Sequence, residues 1–338
     1  MNVPIFYDVT LRDGSHANRH QFTKSFCKDY IENAYSAGIR YIEIGHGNGI
    51  GGSSLQIGEM LEVDLFEILN EFKDKYKDLQ FGAHVIPGVA KFSELKSAIS
   101  NGISIFRIGS HCTEADTTET YIEFALNNNC DAWGLLMMSH MIKPDHLARE
   151  AEKMQNYGAS RIVFLDSAGS LTPQKVENIC LEVLSLIEIP LGFHAHNNLN
   201  AAIANSLSAI KNKCTSIDIC SRGYGAGAGN LSIESIVAIL ELDGIRTNMD
   251  FKKLIQLSSL IEKTFPNSLP NVDSISTATA YHGLFSGFKK KVLETAQNFG
   301  VNPFELIKFL GESKVIAGQE DQIIEIAAEL RQDKENHL

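Results

Sequence analysis

The chain has 338 residues, of which 44% are hydrophobic and 21% are charged, and its formal net charge is −11. This composition is typical of a globular protein with one large core, and the lack of a long basic run argues against nucleic acid as the main partner. No apolar run reaches the roughly 20 residues of a membrane span, no signal peptide is visible, and the six cysteines lack CxxC spacing, so we expect a cytoplasmic protein with reduced thiols.

Eight short apolar runs recur along the chain, and each is followed by a segment with helical spacing. The predicted strands cover residues 5–9, 41–44, 81–86, 103–108, 132–138, 161–165, 191–196 and 216–219. The predicted helices cover residues 22–37, 64–76, 92–100, 118–128, 144–157, 173–187, 199–212 and 232–242. Because the strands are continuously apolar, we expect a parallel sheet buried on both faces. Eight such units predict a (β/α)8 TIM barrel rather than a doubly wound sheet.

The alternation of predicted strands and helices ends after about residue 250. Residues 251–265 have the pattern of an amphipathic helix, a loop with two prolines follows, and residues 275–335 read as helices only. The sequence therefore predicts a catalytic barrel over residues 1–250 and a small helical domain over residues 251–338. That helical domain could dock a partner or could form a homodimer.

Chemically unusual residues follow the predicted strands, at the end of the barrel where this fold places its active sites. In chain order they are Arg12, Asp13, His16, His46, Pro87, His111, His140, Ser167, His194, His196 and the glycine-rich stretch 223–230. The opposite ends of the strands carry only ordinary turn residues. We therefore expect the active site at the carboxyl ends of the strands.

Three of these residues predict a metal site. His194 and His196 are two apart on one strand, so both imidazoles point to the same side, and Asp13 follows the first strand of the same barrel. A carboxylate with two imidazoles suits a divalent ion such as Mn²⁺, Mg²⁺, Co²⁺ or Zn²⁺ and leaves positions for substrate and water. Because no thiolate belongs to the set, we favour Mn²⁺ or Mg²⁺.

Arg12 and His16 flank this set. A guanidinium there can stabilise an enolate or clamp a carboxylate, although a surface ion pair is the alternative. His16 could be a general base, because the pKa of histidine lies near working pH. The alternative is a loop histidine in solvent, and His20 fits that description better.

The remaining strand-end residues leave alternatives open. His46, His111 and His140 could hydrogen-bond to the site or could simply lie in loops. Ser167 could hold a substrate carboxylate or could only form a turn. The stretch 223–230 lacks the Lys-Ser/Thr of a phosphate loop, so close approach of its backbone to the metal site is favoured over phosphate or coenzyme A binding.

Taken together, the motifs resemble the metal-dependent 4-hydroxy-2-oxovalerate aldolases, a branch of the superfamily that includes 3-hydroxy-3-methylglutaryl-CoA lyase. The matching stretches are DVTLRDGSHANRHQ, EIGHGNG with GSS close behind, HCTEAD, LMMSHM, YGAS, FLDSAGSLT, HAHNNL, GYGAGAGN and AGQED, spread over residues 8–321. Synthases and lyases of the superfamily usually carry Gln near the position of His16. His16, followed by Ala-x-Arg-His-Gln, resembles the aldolase branch instead.

The resemblance implies retro-aldol cleavage of a 4-hydroxy-2-oxoacid, most simply 4-hydroxy-2-oxopentanoate, to pyruvate and acetaldehyde. It implies Mn²⁺ on Asp13, His194 and His196, Arg12 as stabiliser of the enolate, and His16 as base. It also implies an acylating acetaldehyde dehydrogenase that docks on the helical domain and receives the aldehyde through an internal channel. The residues expected to contact the substrate are Arg12, Asp13, Ser167, His194 and Phe285.

Three departures from the family pattern bear on specificity. Phe285 stands where the family has a Tyr beside the substrate, Asn197 replaces a His next to the ligands, and His84 replaces an apolar residue near the aldehyde pocket. His84 could select an aldehyde more polar than acetaldehyde. Two alternatives to the aldolase remain: an acyl-CoA-dependent condensing synthase of the isopropylmalate or citramalate type, and a non-catalytic protein that retains the barrel.

Overall fold

The structure, a computed structural model, describes residues 3–52 and 62–336 and confirms the predicted barrel. Within those residues, eight parallel strands close in sequence order, with the first strand paired to the eighth. The strands are β1 (Ile5–Leu11), β2 (Tyr41–Ile44), β3 (Gln80–Val85), β4 (Ile103–His111), β5 (Asp131–Met137), β6 (Arg161–Asp166), β7 (Leu191–Ala195) and β8 (Ser216–Ile219).

Helices alternate with the strands and then continue alone, as the sequence predicts. They are α1 (Lys24–Ser36), α2 (Glu62–Phe72), α3 (Phe92–Asn101), α4 (Glu119–Asn127), α5 (Pro144–Asn156), α6 (Pro173–Leu186), α7 (Ala202–Lys211), α8 (Ile233–Leu242), α9 (Phe251–Thr264), α10 (Ser274–Tyr281), α11 (Lys289–Phe299), α12 (Pro303–Glu312) and α13 (Glu320–Asn336). Short polar side chains begin several of them: Thr23, for example, accepts the N–H of Phe26 at 3.1 Å.

Some boundaries differ from the sequence-based prediction. Strand β1 continues to Leu11, so Arg12 follows it directly, and β4 continues to His111, which therefore ends a strand rather than following one. Strand β7 ends at Ala195, and His196 forms an isolated bridge to Asn230 instead. Ser53 and Ser54, which belong to the GSS motif quoted above, lie outside the described residues.

Within the described residues, the buried apolar side chains form three clusters, two of which lie outside the barrel interior. The larger core lies between the barrel and its surrounding helices, and it includes Leu254, Leu257 and Ile261 of α9. The smaller core begins at Ile275 and is built by the helices α10 to α13. Helix α9 thus packs with the barrel, while the domain boundary at residue 250 stays a prediction.

The barrel interior encloses an apolar cluster as well as charged side chains. Tyr7, Val9, Trp133 and Val163 pack there as an apolar cluster, and the guanidinium of Arg107 lies 4.4 Å from the centroid of the Tyr7 ring. Among the described residues, no helix is both long and apolar enough to cross a membrane. The charged part of the interior is where the candidate site lies.

Candidate metal centre

Strand β1 delivers Arg12 and Asp13 to the mouth of the barrel. The chain leaves the strand in a single 3₁₀ turn, Asp13–His16, which keeps the whole cluster close to the barrel axis. Gly14 is needed in this turn because a Cβ atom would lie 2.8 Å from both the ring and the carbonyl oxygen of Tyr224. The glycine thus permits close approach of the loop that follows β8.

Asp13, His194 and His196 converge as the sequence predicts. Each offers one ligand atom, these atoms all lie within 4.8 Å of one another, and all three residues are buried. The Nε2 atoms of His194 and His196 are 3.4 Å apart. The three residues come from the ends of β1 and β7, which the closed barrel brings to one edge.

The protonation of these residues fits a cation. His194 Nδ1 lies 2.8 Å from Asp218 Oδ2, and because that carboxylate can only accept, Nδ1 donates and Nε2 keeps its lone pair for a metal. Burial raises the pKa of Asp13, but the adjacent guanidinium of Arg12 opposes burial, and the net result holds that pKa well below its usual range. A charged carboxylate with two imidazole nitrogens is a donor set for a divalent ion.

Asp13 is held in place from three sides. Its Oδ1 accepts from Arg12 Nη1 at 2.6 Å, while its Oδ2 accepts from Asn230 Nδ2 at 2.7 Å and from the N–H of Ala226 at 3.1 Å. The glycine-rich stretch 223–230 therefore approaches this site with its backbone, as the favoured interpretation predicts. Asn230 is a residue of the site that sequence reasoning did not single out.

Arg12 is an interior residue and not part of a surface ion pair. Only 5% of it is exposed, and its Nε donates to Glu43 Oε2 at 2.7 Å. Within residues 3–52 and 62–336, its buried Nη2 has no hydrogen-bond acceptor. This free donor, beside Asp13, is available to an anionic group of a ligand.

Two further carboxylates and a second arginine complete a buried network that sequence reasoning missed. Glu43, Arg107 and Asp218 lie on β2, β4 and β8, and Arg107 Nη2 donates to Asp218 Oδ2 at 2.6 Å. A signal was present, because each charge interrupts an apolar strand, in YIEI, IFRI and SIDI. A charge inside a strand buried on both faces must find a partner in the barrel interior.

His16 lies beside two other imidazoles. Its ring is 4.9 Å from that of His20, which in turn stacks on His46 at 3.8 Å. Burial, followed by the neighbouring charge of His20, lowers the pKa of His16 to about 3, so its imidazole is neutral at physiological pH. His20, for which a loop position in solvent is the alternative, is half-buried in a turn, and its Nδ1 lies 2.9 Å from Ser15 Oγ.

Ser167 is buried and Phe285 is half-buried. The Oγ of Ser167 accepts the N–H of Met138 at 2.9 Å, which leaves its own hydrogen for another acceptor. The carbonyl oxygen of Ser167 accepts the N–H of Ser286 at 3.0 Å, while the ring of Phe285 packs edge-on against Phe288. Contact of either residue with a substrate stays a prediction.

His84 lies in the barrel interior, near Arg12. Its Nδ1 is 3.1 Å from the carbonyl oxygen of Arg107, so Nδ1 donates and Nε2 is an acceptor. Gly109 makes room for the ring, since a Cβ atom there would lie 2.7 Å from His84 Cε1. Burial and the charge of Arg12 lower the pKa of His84 to about 3, so the ring is neutral.

The other strand-end histidines have local partners. His46 Nδ1 accepts the N–H of Asn48 at 3.1 Å, and His111 Nδ1 lies 2.8 Å from Thr113 Oγ1. His140 Nε2 lies 3.0 Å from the carbonyl oxygen of Gly283 and so links the barrel to the C-terminal helices. No hydrogen bond found in the described part of the chain joins these three rings to Asp13, His194 or His196.

The loop after β8 also contacts the C-terminal helices. The carbonyl oxygen of Ala226, whose N–H donates to Asp13, lies 3.5 Å from Ser286 Oγ. The neighbouring Gly227 has φ +61, and a Cβ atom there would lie 2.2 Å from the same Oγ. Ser286 Oγ donates to Asn198 Oδ1 at 2.8 Å, two residues after His196.

Comparison with known proteins identifies relatives along nearly the whole chain. A family model described as HMGL-like matches residues 3–261, and one described as a DmpG-like communication domain matches residues 270–332. A 4-hydroxy-2-oxovalerate aldolase of Pectobacterium atrosepticum is 41% identical, over 98% of this chain and 96% of that protein. A protein of the same name from Spirochaeta aurantia is 40% identical, over 97% of this chain and 96% of that protein.

Solved structures share the fold. The carboxyl transferase domain of Rhizobium etli pyruvate carboxylase with oxalate superposes with a TM-score of 0.83 at 16% identity, covering 98% of this chain and 61% of that chain. At that identity the likeness is one of fold alone.

Proposed function

The chain belongs to the HMGL-like family and is a carbon–carbon lyase of the 4-hydroxy-2-oxovalerate aldolase type, and we propose that Asp13, His194 and His196 hold its divalent cation. The observation that carries the proposal is the convergence of three ligand atoms within 4.8 Å. An oxygen ligand with two imidazoles and no thiolate favours Mn²⁺, with Mg²⁺ and Co²⁺ as alternatives. The names of the relatives do not favour the condensing synthase.

The substrate is 4-hydroxy-2-oxopentanoate, which is cleaved to pyruvate and acetaldehyde. When bound, the cation would act as a Lewis acid toward the 2-oxo group. Arg12 directs its free Nη2 donor to the developing enolate oxygen, where a preorganised buried cation is most effective. Ser167 donates its hydroxyl hydrogen to the substrate carboxylate.

His16 is the base of the reaction. Its neutral imidazole removes the proton of the 4-hydroxyl group, the electron pair of that O–H bond forms the aldehyde C=O, and the C3–C4 bond breaks. The electron pair of the broken bond passes into the enolate of pyruvate, which Arg12 stabilises. Return of the proton from His16 to C3 then completes pyruvate and restores the neutral imidazole.

The proposal is tested by measuring pyruvate released from racemic 4-hydroxy-2-oxopentanoate with Mn²⁺ and again with EDTA. We expect release that requires the metal and returns when Mn²⁺ is restored. Equal release with and without EDTA, from protein shown to be metal-free, would contradict the metal assignment.

We propose that His84 sets the preference for the aldehyde. Its neutral ring offers an acceptor at Nε2, because Nδ1 is engaged by the carbonyl oxygen of Arg107. A hydroxyl on the aldehyde would satisfy that acceptor, whereas the methyl group of acetaldehyde would not. The test compares kcat/KM for 4-hydroxy-2-oxopentanoate and 4,5-dihydroxy-2-oxopentanoate in the wild type and in His84→Leu. We expect the ratio to move toward the unhydroxylated substrate in the variant.

We also propose that residues 251–338 act as a unit that binds an acylating acetaldehyde dehydrogenase, which consumes the aldehyde. The support is the match of residues 270–332 to a DmpG-like communication domain. A homodimer formed by the same helices is the alternative. Light scattering of the chain alone, and mixed with such a dehydrogenase from the same genome, distinguishes them: a mixed complex is expected, and a dimer unchanged by the dehydrogenase favours the alternative.

A further inference from the structure

The guanidinium of Arg107 occupies the centre of the charged barrel interior. The residue is fully buried, its Nη2 donates to Asp218 Oδ2 at 2.6 Å, and its Nη1 makes an ion pair with Glu43 Oε2 at 3.4 Å. The cation also lies over two aromatic rings, 4.4 Å from the centroid of Tyr7 and 5.8 Å from that of Trp133. Arg107 is thus hydrogen-bonded to one carboxylate, paired by charge with a second, and packed against two rings.

Each of the two carboxylate oxygens is shared with a residue of the metal centre. Asp218 Oδ2 also accepts from His194 Nδ1 at 2.8 Å. Glu43 Oε2 also accepts from Arg12 Nε at 2.7 Å. Arg107 therefore connects His194, through Asp218 Oδ2, with Arg12, through Glu43 Oε2.

We propose that Arg107 is a positioning residue for both halves of the site. Through Asp218 it holds the imidazole of His194 in the tautomer that leaves Nε2 free for the cation. Through Glu43 it holds the guanidinium of Arg12 by its Nε, so that Nη2 stays available to substrate. The inference rests on the proposed metal-dependent function and deepens it by assigning this residue.

Electrostatics and positioning predict opposite effects when Arg107 is replaced. Within the network around the site, the carboxylates of Asp13, Glu43 and Asp218 and the guanidiniums of Arg12 and Arg107 carry one net negative charge. Removal of one guanidinium makes the interior more negative, which by Coulomb's law alone would tighten binding of a divalent cation. Loss of positioning releases Asp218 from its fixed place and weakens binding. The sign of the change in metal affinity therefore identifies which effect dominates.

The experiment uses the full chain, stripped with EDTA, with Mn²⁺ as the probe. Isothermal titration calorimetry gives the Kd of Mn²⁺ for the wild type, Arg107→Met and Arg107→Lys, and circular dichroism checks the fold. We expect Kd to rise about 10–100-fold in both variants, the range seen when the outer partners of metal ligands are removed. Arg107→Lys keeps the charge, but one ammonium cannot reproduce the planar fork of a guanidinium. It is the informative variant if Arg107→Met fails to fold.

Arg161 provides a matched control. Its guanidinium also lies over the ring of Trp133, at 4.8 Å, but it donates to Thr215 Oγ1 at 2.7 Å and not to the carboxylates of the site. Arg161→Met should leave the Kd of Mn²⁺ near the wild-type value. A folded Arg107→Lys that binds Mn²⁺ as tightly as the wild type, or more tightly, would overturn the inference.

The two connections of Arg107, through Asp218 to His194 and through Glu43 to Arg12, are tested by separate variants. Asp218→Asn should weaken Mn²⁺ binding and leave the KM for substrate at saturating Mn²⁺ little changed. Glu43→Gln should weaken Mn²⁺ binding less than Asp218→Asn does, while it raises KM and lowers kcat through Arg12. Arg107→Lys should show both defects, and a defect in Mn²⁺ binding alone or in KM and kcat alone would refute the dual role. If the wild type itself binds no Mn²⁺, the proposed function fails and the inference fails with it.

Discussion

The barrel and the C-terminal helices bury different kinds of side chain. The barrel interior encloses a connected set of charged groups, Arg12, Asp13, Glu43, Arg107 and Asp218. The core of the C-terminal helices is made of apolar residues such as Leu284, Leu306 and Leu310. Because buried ion pairs seldom stabilise a fold more than apolar residues of similar volume, the charges in the barrel point to chemistry and the apolar helical core to folding.

The strongest test of this contrast is the removal of a charged ligand. Asp13→Ala should lower pyruvate release by about 10³-fold or more, since the site loses its anionic ligand and several kcal/mol of charge stabilisation with it. The measurement is kcat together with bound metal after dialysis against Mn²⁺. Asp243→Ala, which alters an exposed carboxylate, is the control. Full activity of Asp13→Ala after treatment with EDTA would remove the distinction between the two regions.

An apolar truncation in the helical core should act on stability instead. Leu306 is fully buried, so Leu306→Ala should lower the free energy of unfolding by about 2–5 kcal/mol while the affinity for Mn²⁺ stays unchanged. Urea unfolding and calorimetry measure the two quantities. Phe309→Ala on the same helix, where the side chain is 41% exposed, should cost far less. A loss of Mn²⁺ affinity comparable to that of Asp13→Ala would contradict the contrast.

The buried histidine of the barrel predicts a dependence of stability on pH. The pKa of His84 is about 3 in the folded chain, below the unfolded value of 6.5, so the unfolded state binds the proton first as the pH falls. Its stabilising contribution is thus present above pH 6.5 and is lost between pH 6.5 and 3. From pH 7 to pH 5 the EDTA-treated wild type should lose about 2 kcal/mol more than His84→Leu.

The control for this titration is the exposed His146. His146→Leu should retain the pH dependence of the wild type in the same urea unfolding experiment. If the wild type and His84→Leu lose stability equally, His84 takes up its proton at the same pH in the folded as in the unfolded chain, and the contrast between a tightly desolvated barrel and its surface is contradicted.

The smallest expected effect lies where the helices meet the barrel. Phe285→Tyr adds a hydroxyl beside the segment that contacts Ser167, and it should change the preference between the two enantiomers of 4-hydroxy-2-oxopentanoate more than it changes kcat. We expect less than about a tenfold change in kcat. Chiral analysis of the substrate left at half conversion measures the preference. Unchanged enantiomer preference would place Phe285 outside the site.

Much of this architecture follows from the sequence, because strands buried on both faces of a sheet are continuously apolar. Continuously apolar strands predicted the parallel barrel, and a closed barrel brings the ends of its first and seventh strands to one edge. Asp13, His194 and His196 could therefore be combined although about 180 residues separate the first from the others. The chemistry of the donor set then indicated a divalent cation.

Other parts of the site depend on contacts that no local pattern encodes. Glu43, Arg107 and Asp218 stand alone in three apolar strands, and their partners become visible only when the barrel closes. The ring of His20 lies 4.9 Å from that of His16, in a turn where Arg19 and His20 have φ 60, and the spacing of the two residues does not predict this contact. The contact of Ser286 with the loop after β8 joins residues that are 60 positions apart.

The backbone of Ala226 has a consequence for how this protein could be recombined. Its N–H is committed to the metal-site carboxylate and its carbonyl oxygen faces Ser286, while Gly227 leaves no space for a side chain beside that serine. A chimaera that takes its barrel from one aldolase and its helices from another would inherit this fit only if the glycine and the serine come as a matched pair. Exchange of whole domains is thus constrained at one contact, between Ala226 and Gly227 of the barrel and Ser286 of the C-terminal part.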